Sequence, residues 1–497
     1  MLDFLVGLLL FIYGIALCFI LFHSLSDAHL IYHYLVSFRK KRAFITSEDQ
    51  PYVTIQLPLY NELYVAERLI DAVAAIDYPA EKLEIQVLDD STDETTDVIA
   101  EKVAWLQERG INIRHIRRDS RIGFKAGALK HGLSLAKGDF IAIFDADFVP
   151  PKDFLLKVLP YFSNKEVGMV QTRWGHINSA TSLFTSLQAL ALDGHFSIEQ
   201  TGRNAAGYFI NFNGTGGIWR KACILDAGNW QADTLTEDLD LSYRAQLKGW
   251  RFVYLEDVTS PAELPPVMSA FKSQQFRWAK GGAETARKNL KALFHSNHPF
   301  SVKWHGAFHL IYSFGFVSII ICAVLAVPIL LIKEAYPQYN AFFKAGTVLY
   351  ACFFIYILHY LIAYIINARG TITQRLLGFF LRFPFFVALF IGISFSNAFG
   401  IVQGYSGIKT AFIRTPKFNS NAVEKKLVSN KYSNVSISWM TIAEGLFVFY
   451  FLFGLIIALK LKNFAIVPFF LMAATGFSMV VILSLKERNQ KILIEAA

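Results

Sequence analysis

Two aspartates one residue apart, Asp145 and Asp147, close the stretch Gly138-Asp-Phe-Ile-Ala-Ile-Phe-Asp-Ala-Asp147. The apolar run before them reads as a strand, so both carboxylates stand at a strand end and can share a hard divalent cation. Mg²⁺ takes one or two carboxylates and completes its shell with phosphate oxygens and water. A metal so placed neutralises charge on a leaving diphosphate; the plainer reading of an Asp-x-Asp pair is a polar turn. Upstream, Leu83-Glu-Ile-Gln-Val-Leu-Asp-Asp-Ser91 is another strand pattern and ends in Asp89 and Asp90. Carboxylates at the carboxyl end of a strand can accept hydrogen bonds from a base or ribose, or they can cap the following helix. Lys125 lies between Gly123 and Gly127. The glycines allow close backbone approach and the lysine can neutralise phosphate, although a surface lysine is commoner. The chain has neither a Walker motif nor Gly-x-Gly-x-x-Gly, which argues against mononucleotide kinases and dinucleotide enzymes.

Two later groups complete the set. Thr236-Glu-Asp-Leu-Asp-Leu241 opens a helical pattern. Its acidic residues suit a helix N-terminus, and a carboxylate there can also act as general base on a sugar hydroxyl. In Phe271-Lys-Ser-Gln-Gln-Phe-Arg-Trp-Ala-Lys280, the side chains Gln274, Arg277 and Trp278 fall within about one helical turn. Arg can fork onto phosphate, and Trp offers a flat apolar face to a sugar ring. An aromatic and basic anchor at a membrane interface is the alternative.

The elements that must position these groups fall into two kinds. Between residues 43 and 303, short apolar strands alternate with helical patterns, beginning with Tyr52-Val-Thr-Ile-Gln-Leu-Pro-Leu-Tyr-Asn-Glu62. This predicts an α/β domain. On both sides lie apolar runs long enough to cross about 30 Å of hydrocarbon. Residues 4–22 form the first and are read as a span, not a signal peptide, because the positive charges follow the run. The basic cluster 39–42 then places the α/β domain in the cytoplasm. Residues 308–332, 345–366, 440–459 and 464–485 are further spans. The apolar segment 376–402 is interrupted by Arg382, Pro384, Gly392 and Asn397. A broken segment there keeps the basic loop 409–431 inside. Glu444, near the start of a span, is either functional or paired with a lysine at the interface.

Composition agrees. Of 497 residues 54% are hydrophobic and 18% charged, against about 25% charged in ordinary soluble domains. This excludes a disordered chain. The net charge of +9 suits cytoplasmic loops near anionic lipid, and no clustered basic face suggests nucleic acid. Four cysteines (Cys18, Cys223, Cys322, Cys352) are too few for a disulfide framework.

Taken in order, Asp-Asp, Asp-x-Asp, Thr-Glu-Asp and Gln-x-x-Arg-Trp between membrane spans resemble the signature of processive inverting glycosyltransferases of family 2, the cellulose synthase superfamily. Gln86-Val-Leu-Asp-Asp-Ser-Thr-Asp93, Phe124-Lys-Ala-Gly-Ala-Leu129, Ile143-Phe-Asp-Ala-Asp-Phe148, Phe212-Asn-Gly-Thr-Gly-Gly217 and Lys248-Gly-Trp250 are similar to the plant cellulose-synthase-like A and C proteins, which make β-1,4-mannan or glucomannan and a β-1,4-glucan backbone. Phe412-Ile-Arg-Thr-Pro-Lys417 is similar to the gating loop Phe-x-Val-Thr-x-Lys of bacterial cellulose synthases and departs from it at Arg414.

The resemblance implies a GT-A type nucleotide-sugar-binding domain at 43–303, inserted between an N-terminal helix (1–37) and a multi-span region (304–497). That region would contain an interfacial segment, 371–402, and a gating-loop-like segment, 405–432. It implies Asp238 as general base. Asp89, Asp90, Lys125, Asp145, Gln274 and Arg277 would contact the donor, and Asp145 and Asp147 would bind Mg²⁺ or Mn²⁺. Phe212, Asn213, Gly214, Thr215, Glu237 and Trp278 would line the acceptor end, and Phe412, Thr415 and Lys417 would gate. The implied donor is UDP-glucose or GDP-mannose and the product a β-glycan, with the enzyme in the plasma (inner) membrane. No cyclic-di-GMP-binding domain is recognised after the spans, so that regulation is not expected. The rival readings are a non-processive lipid glycosyltransferase and a catalytically dead scaffold or transporter.

Overall fold

The computed structural model describes residues 1–38, 50–410, 414–419, 432 and 438–495. Four parallel strands begin the α/β domain: β1 (Val53–Leu59), β2 (Leu83–Asp89), β3 (Ile113–Arg117) and β4 (Phe140–Ile143), side by side in the order β3-β2-β1-β4. Parallel neighbours need crossover connections. After the N-terminal helix α1 (Leu2–Phe38), the helices α2 (Ala66–Ala74), α3 (Thr95–Gln107) and α4 (Phe124–Leu135) lie in those connections. With helices against it, β1 is buried nearly throughout, and the Thr54 and Gln56 that alternate with Val53, Ile55 and Leu57 are buried as well. The buried carboxylate of Glu84 is satisfied within the sheet, accepting from Thr54 Oγ1 at 2.9 Å across the in-register pair of β1 and β2.

The second half extends the sheet through β6 (Gly217–Arg220), β5 (Val167–His176) and β7 (Arg251–Ala262), giving the order β3-β2-β1-β4-β6-β5-β7. β6 runs antiparallel to both neighbours. Its first residue, Gly217, therefore stands opposite Ile143, the last residue of β4. The loop entering β6 thus arrives beside the loop leaving β4. One hydrophobic core, around Ile55, Val87 and Phe144, lies on one side of the sheet; a second, around Ile143, Trp219 and Leu241, lies on the other. This is the mixed α/β domain between apolar helices that the sequence implies.

Six helical stretches among the described residues are long and apolar enough to cross a membrane: Leu2–Ser37, Phe300–Ala335, Pro337–Asn367, Ile372–Gly392, Trp439–Lys460 and Val467–Asn489. The segment expected to be broken is two helices, Ile372–Gly392 and Ser394–Ser406, meeting at Ile393. The second packs on the helix Met268–His295, where a Cβ on Gly404 would stand 2.7 Å from the Lys280 carbonyl oxygen. Phe412, most of the basic loop 409–431 and the cluster 39–42 lie outside the described residues.

Candidate active site

Where β4 ends, the chain turns and presents Asp145 and Asp147 to a cleft. Thr215, from the loop entering β6, accepts the Asp145 N–H at 2.9 Å and holds that turn. Asp145 Oδ1 accepts from Lys125 Nζ at 2.5 Å, and the same ammonium donates to the Gly214 carbonyl at 2.9 Å. Lys125 reaches this point because α4 starts abruptly: Gly123 has φ +76°, and a Cβ on Gly127 would overlap the Ile122 carbonyl oxygen. Burial opposes the ammonium charge, but Asp145 foremost, with Glu237 and Asp238, outweighs it and lifts the Lys125 pKa.

Asp238 is the second residue of the helix Glu237–Leu247. Its Oδ1 accepts the Leu239 N–H at 2.8 Å. Desolvation foremost, then the neighbouring Glu237, pushes its pKa up to about 7 against the pull of Lys125 and Arg277. Gly214 faces it with φ +82°, and a Cβ there would come within 2.9 Å of Asp238 Oδ2. The helix Met268–His295 closes the cleft with Gln274, Arg277 and Trp278 on one side.

These groups line a cleft of about 110 Å³ together with Asn213, Glu237 and Trp174. A second cleft meets the first at Asp145 and Asp147 and is lined by Tyr60, Glu62, Asp90, Arg121 and Thr415. In it Arg118 forks onto Asp90 through Nε, at 2.9 Å, and Nη2. The Arg121 guanidinium lies 3.3 Å above the Tyr60 ring.

Residues 414–419 cover this second cleft. Arg414 Nη1 stands 2.5 Å from Glu62 Oε2, and Lys417 Nζ stands 2.8 Å from Asp147 Oδ2. Asn419 N donates to Glu263 Oε2 at 3.1 Å. Burial pushes the Glu62 carboxyl up to about 7, with Arg414 and Lys417 opposing.

Not every expected residue reaches the cleft. Asp89 is 1% exposed; its carboxylate accepts from the Ser91 N–H at 2.8 Å and pairs with His115 Nε2 at 2.9 Å. It faces the interior between β2 and β3, whereas Asp90 lines the second cleft. Phe212 is fully buried with its ring edge-on to Trp219, because β6 enters the sheet there. Thr215 is likewise buried and acts on Asp145 from behind. Several lining residues carried no sequence signal. Trp174 lies near the end of β5, and His195 and Glu199 lie on a π-helical turn, Gly194–Gln200. Glu62 does close the strand pattern beginning at Tyr52, a position that could have marked it.

The two aspartates fit a hard divalent cation. Both line both clefts, and Asp147 Oδ1 is buried with no hydrogen-bond partner among the described residues. The described residues hold no group of three His, Cys, Asp or Glu suited to a metal, so phosphate and water oxygens would have to complete the shell.

The sequence model of the family described as "Glycosyltransferase like family 2" matches residues 51–281. This stretch is similar to family 2 glycosyltransferase domains. It contains every cleft residue described above except those of the 414–419 segment and those supplied by the apolar helices. The chain is 43% identical over 281 residues to "Probable glucomannan 4-beta-mannosyltransferase 4" of Oryza sativa subsp. japonica, covering 55% of this chain and 50% of that protein. It is 40% identical over 310 residues to "Glucomannan 4-beta-mannosyltransferase 2" of Arabidopsis thaliana, covering 59% of this chain and 57% of the relative. The chain spans about half the length of the curated relatives it matches. Among solved structures, "Mannosyltransferase PcManGT from Pyrobaculum calidifontis in complex with GDP-Man and Mn2+" aligns with a TM-score of 0.49 at 20% identity, over 70% of this chain and 98% of that one.

Proposed function

We propose that this protein is a membrane-embedded inverting glycosyltransferase that moves a hexose from a nucleotide sugar to the end of a growing β-glycan. One observation carries the choice of a polymer. The cleft at Asp238 and Trp278 opens into a cavity of about 430 Å³ walled by the apolar helices, with Tyr312, Phe316, Tyr356, Tyr360 and Phe390 along it and His195, Glu199 and Gln188 among them. Aromatic faces and polar edges are what a chain of pyranose rings requires, since each ring has apolar C–H faces and an equatorial rim of hydroxyls.

In this reading Asp238 takes the proton from the acceptor hydroxyl, the 4-OH by analogy with the superfamily. That oxygen attacks C1 of an α-linked donor in line, so the product is the β-glycoside. Lys125 and Arg277 hold and neutralise the diphosphate as the C1–O bond breaks. Asp145 and Asp147 would hold Mg²⁺ or Mn²⁺, which when bound neutralises charge on the diphosphate. Tyr60, Asp90 and Arg121 receive the nucleoside, and Trp278 stacks on the acceptor sugar. The names of the relatives favour mannose, hence GDP-mannose over UDP-glucose. The basic cluster 39–42 assigns the domain 43–303 to the cytoplasmic side, and the resemblance to β-glycan synthases favours the plasma (inner) membrane.

The test is transfer of radiolabelled sugar in membranes holding the full chain. GDP-mannose and UDP-glucose are compared with Mg²⁺ and Mn²⁺, and products are sized before and after β-mannanase. A long, mannanase-sensitive product is expected. A short product extracted by organic solvent would overturn the polymer reading in favour of a lipid acceptor.

A further inference from the structure

The cavity wall nearest Asp238 contains a connected polar chain to which the proposed mechanism gives no role in the transfer step. It begins on the turn Gly194–Gln200, which is π-helical. Such turns are rare and occur frequently at functional sites. The turn presses against the apolar helix Leu349–Asn367: a Cβ on Gly194 would stand 2.7 Å from Tyr360 Cε1 and 3.0 Å from His359 Nε2.

His195 Nδ1 lies 3.0 Å from Glu199 Oε2, and His195 Nε2 lies 3.0 Å from Asn213 Nδ2. The proton positions follow from the far end of the chain. Gln200 Nε2 donates to Asn213 Oδ1 at 2.8 Å, so the Asn213 oxygen is the acceptor and its Nδ2 faces His195. His195 Nε2 must then accept, and Nδ1 carries the hydrogen it gives to Glu199. The Asn213 backbone N–H is also spent, on Gln171 Oε1 at 3.0 Å. This leaves Asn213 one side-chain N–H with no partner among the described residues, on a half-buried residue lining the cleft one position before Gly214, the residue that faces Asp238.

A merely structural ion pair would be sealed off. Glu199 is nearly so, at 6% side-chain exposure, but His195 keeps 25% and lines the same cavity as Asp238 and Trp278.

We propose that His195 and Glu199 are positioning residues for the acceptor sugar: through the chain Glu199–His195–Asn213 they hold the Asn213 amide so that its remaining N–H meets a hydroxyl of the incoming sugar beside Asp238. The carboxylate fixes the imidazole tautomer, and the imidazole in turn fixes the amide. The proposal rests on the glycosyltransferase reading above. Its mark is that it concerns the acceptor and not the donor.

The experiment uses the full chain in membranes with labelled GDP-mannose, and compares transfer to a β-1,4-manno-oligosaccharide with slow hydrolysis of the donor in its absence. His195→Phe and Glu199→Ala are expected to lower kcat/KM for the oligosaccharide by about 10- to 100-fold, the size of effect that small misplacement produces. Donor KM and donor hydrolysis should stay near those of the unmodified protein. His195→Gln, which keeps an acceptor toward Asn213, should recover most of the loss. Unchanged transfer in His195→Phe would overturn the proposal. So would an equal fall in transfer and donor hydrolysis, which would mark a structural role. An unmodified protein that neither hydrolyses nor transfers from any nucleotide sugar would instead overturn the glycosyltransferase reading itself.

Discussion

Asp238, the base in the proposed mechanism, has the environment that role needs. Its pKa, pushed up to about 7 by desolvation and Glu237, matches the pH at which it must work. The base is competent only when unprotonated. As pH falls through about 7 it takes up a proton, and kcat for transfer should drop about tenfold per unit below that point. A flat profile from pH 5 to 8 would remove Asp238 from the role. Asp238→Asn should lower transfer by a factor of about 10² to 10⁴, while equilibrium binding of the donor, followed by calorimetry, stays within a few-fold. Parallel loss of binding would make it a donor ligand instead.

At the scale of elements, the covering segment 414–419 is fastened by two ion pairs. Arg414 meets Glu62 at 2.5 Å, and Lys417 meets Asp147 at 2.8 Å. Arg414 is where the sequence departs from the gating-loop pattern, and the pair with Glu62 supplies the reason. Arg414→Ala removes the direct partner of a buried carboxylate. It should raise donor KM about tenfold, which is about 1.4 kcal/mol. Adding Glu62→Gln should recover part of that loss in a double-mutant cycle; full additivity would show that the two do not cooperate. The apolar helices carry an analogous tight point. Gly476 packs so closely on the helix Ile372–Gly392 that a Cβ would overlap the Ala388 carbonyl oxygen. Small residues at helix crossings in lipid let backbones approach closely. Gly476→Leu should therefore destabilise the detergent-solubilised protein by about 1–3 kcal/mol, seen as a lower unfolding temperature.

Over the whole molecule, the helix Met268–His295 joins the α/β domain to the apolar helices, and two carboxylates from the last two of those helices hold its N-terminal end. Glu487 accepts the Met268 N–H, and the Ser269 N–H at 3.1 Å. These are helix N-terminal donors that would otherwise be orphaned. Glu444, wholly buried, stands 2.6 Å from Lys272 Nζ, so it takes the lysine-paired alternative. The same helix carries Gln274, Arg277 and Trp278 into the cleft, so its seating sets their position. Glu487→Ala should cost about 1–3 kcal/mol through the unpaired donors and weaken transfer more than donor binding. Wild-type thermal stability in this variant would show that the grip is dispensable.

The parts legible in the sequence are those fixed by short spacing. A strand of Ile and Phe places Asp145 and Asp147 at its end whatever surrounds it, and Gly123 and Gly127 around Lys125 announce a sharp helix start. A helix period groups Gln274 with Arg277 and Trp278. Length and apolarity alone mark the helices able to cross a membrane. Tertiary structure decided the rest, because those positions depend on which distant elements meet. Asp89 and Asp90 are adjacent and alike in type, yet successive residues at a strand end point opposite ways; only the presence of β3 turns Asp89 inward to His115. The antiparallel entry of β6 buries Phe212 and Thr215 while leaving Asn213 and Gly214 at the cleft. Glu62 with Arg414, and Glu487 with Met268, lie far apart in the chain and carry no shared periodicity. Their pairing arises from packing energies summed over the whole fold, which local residue spacing does not encode.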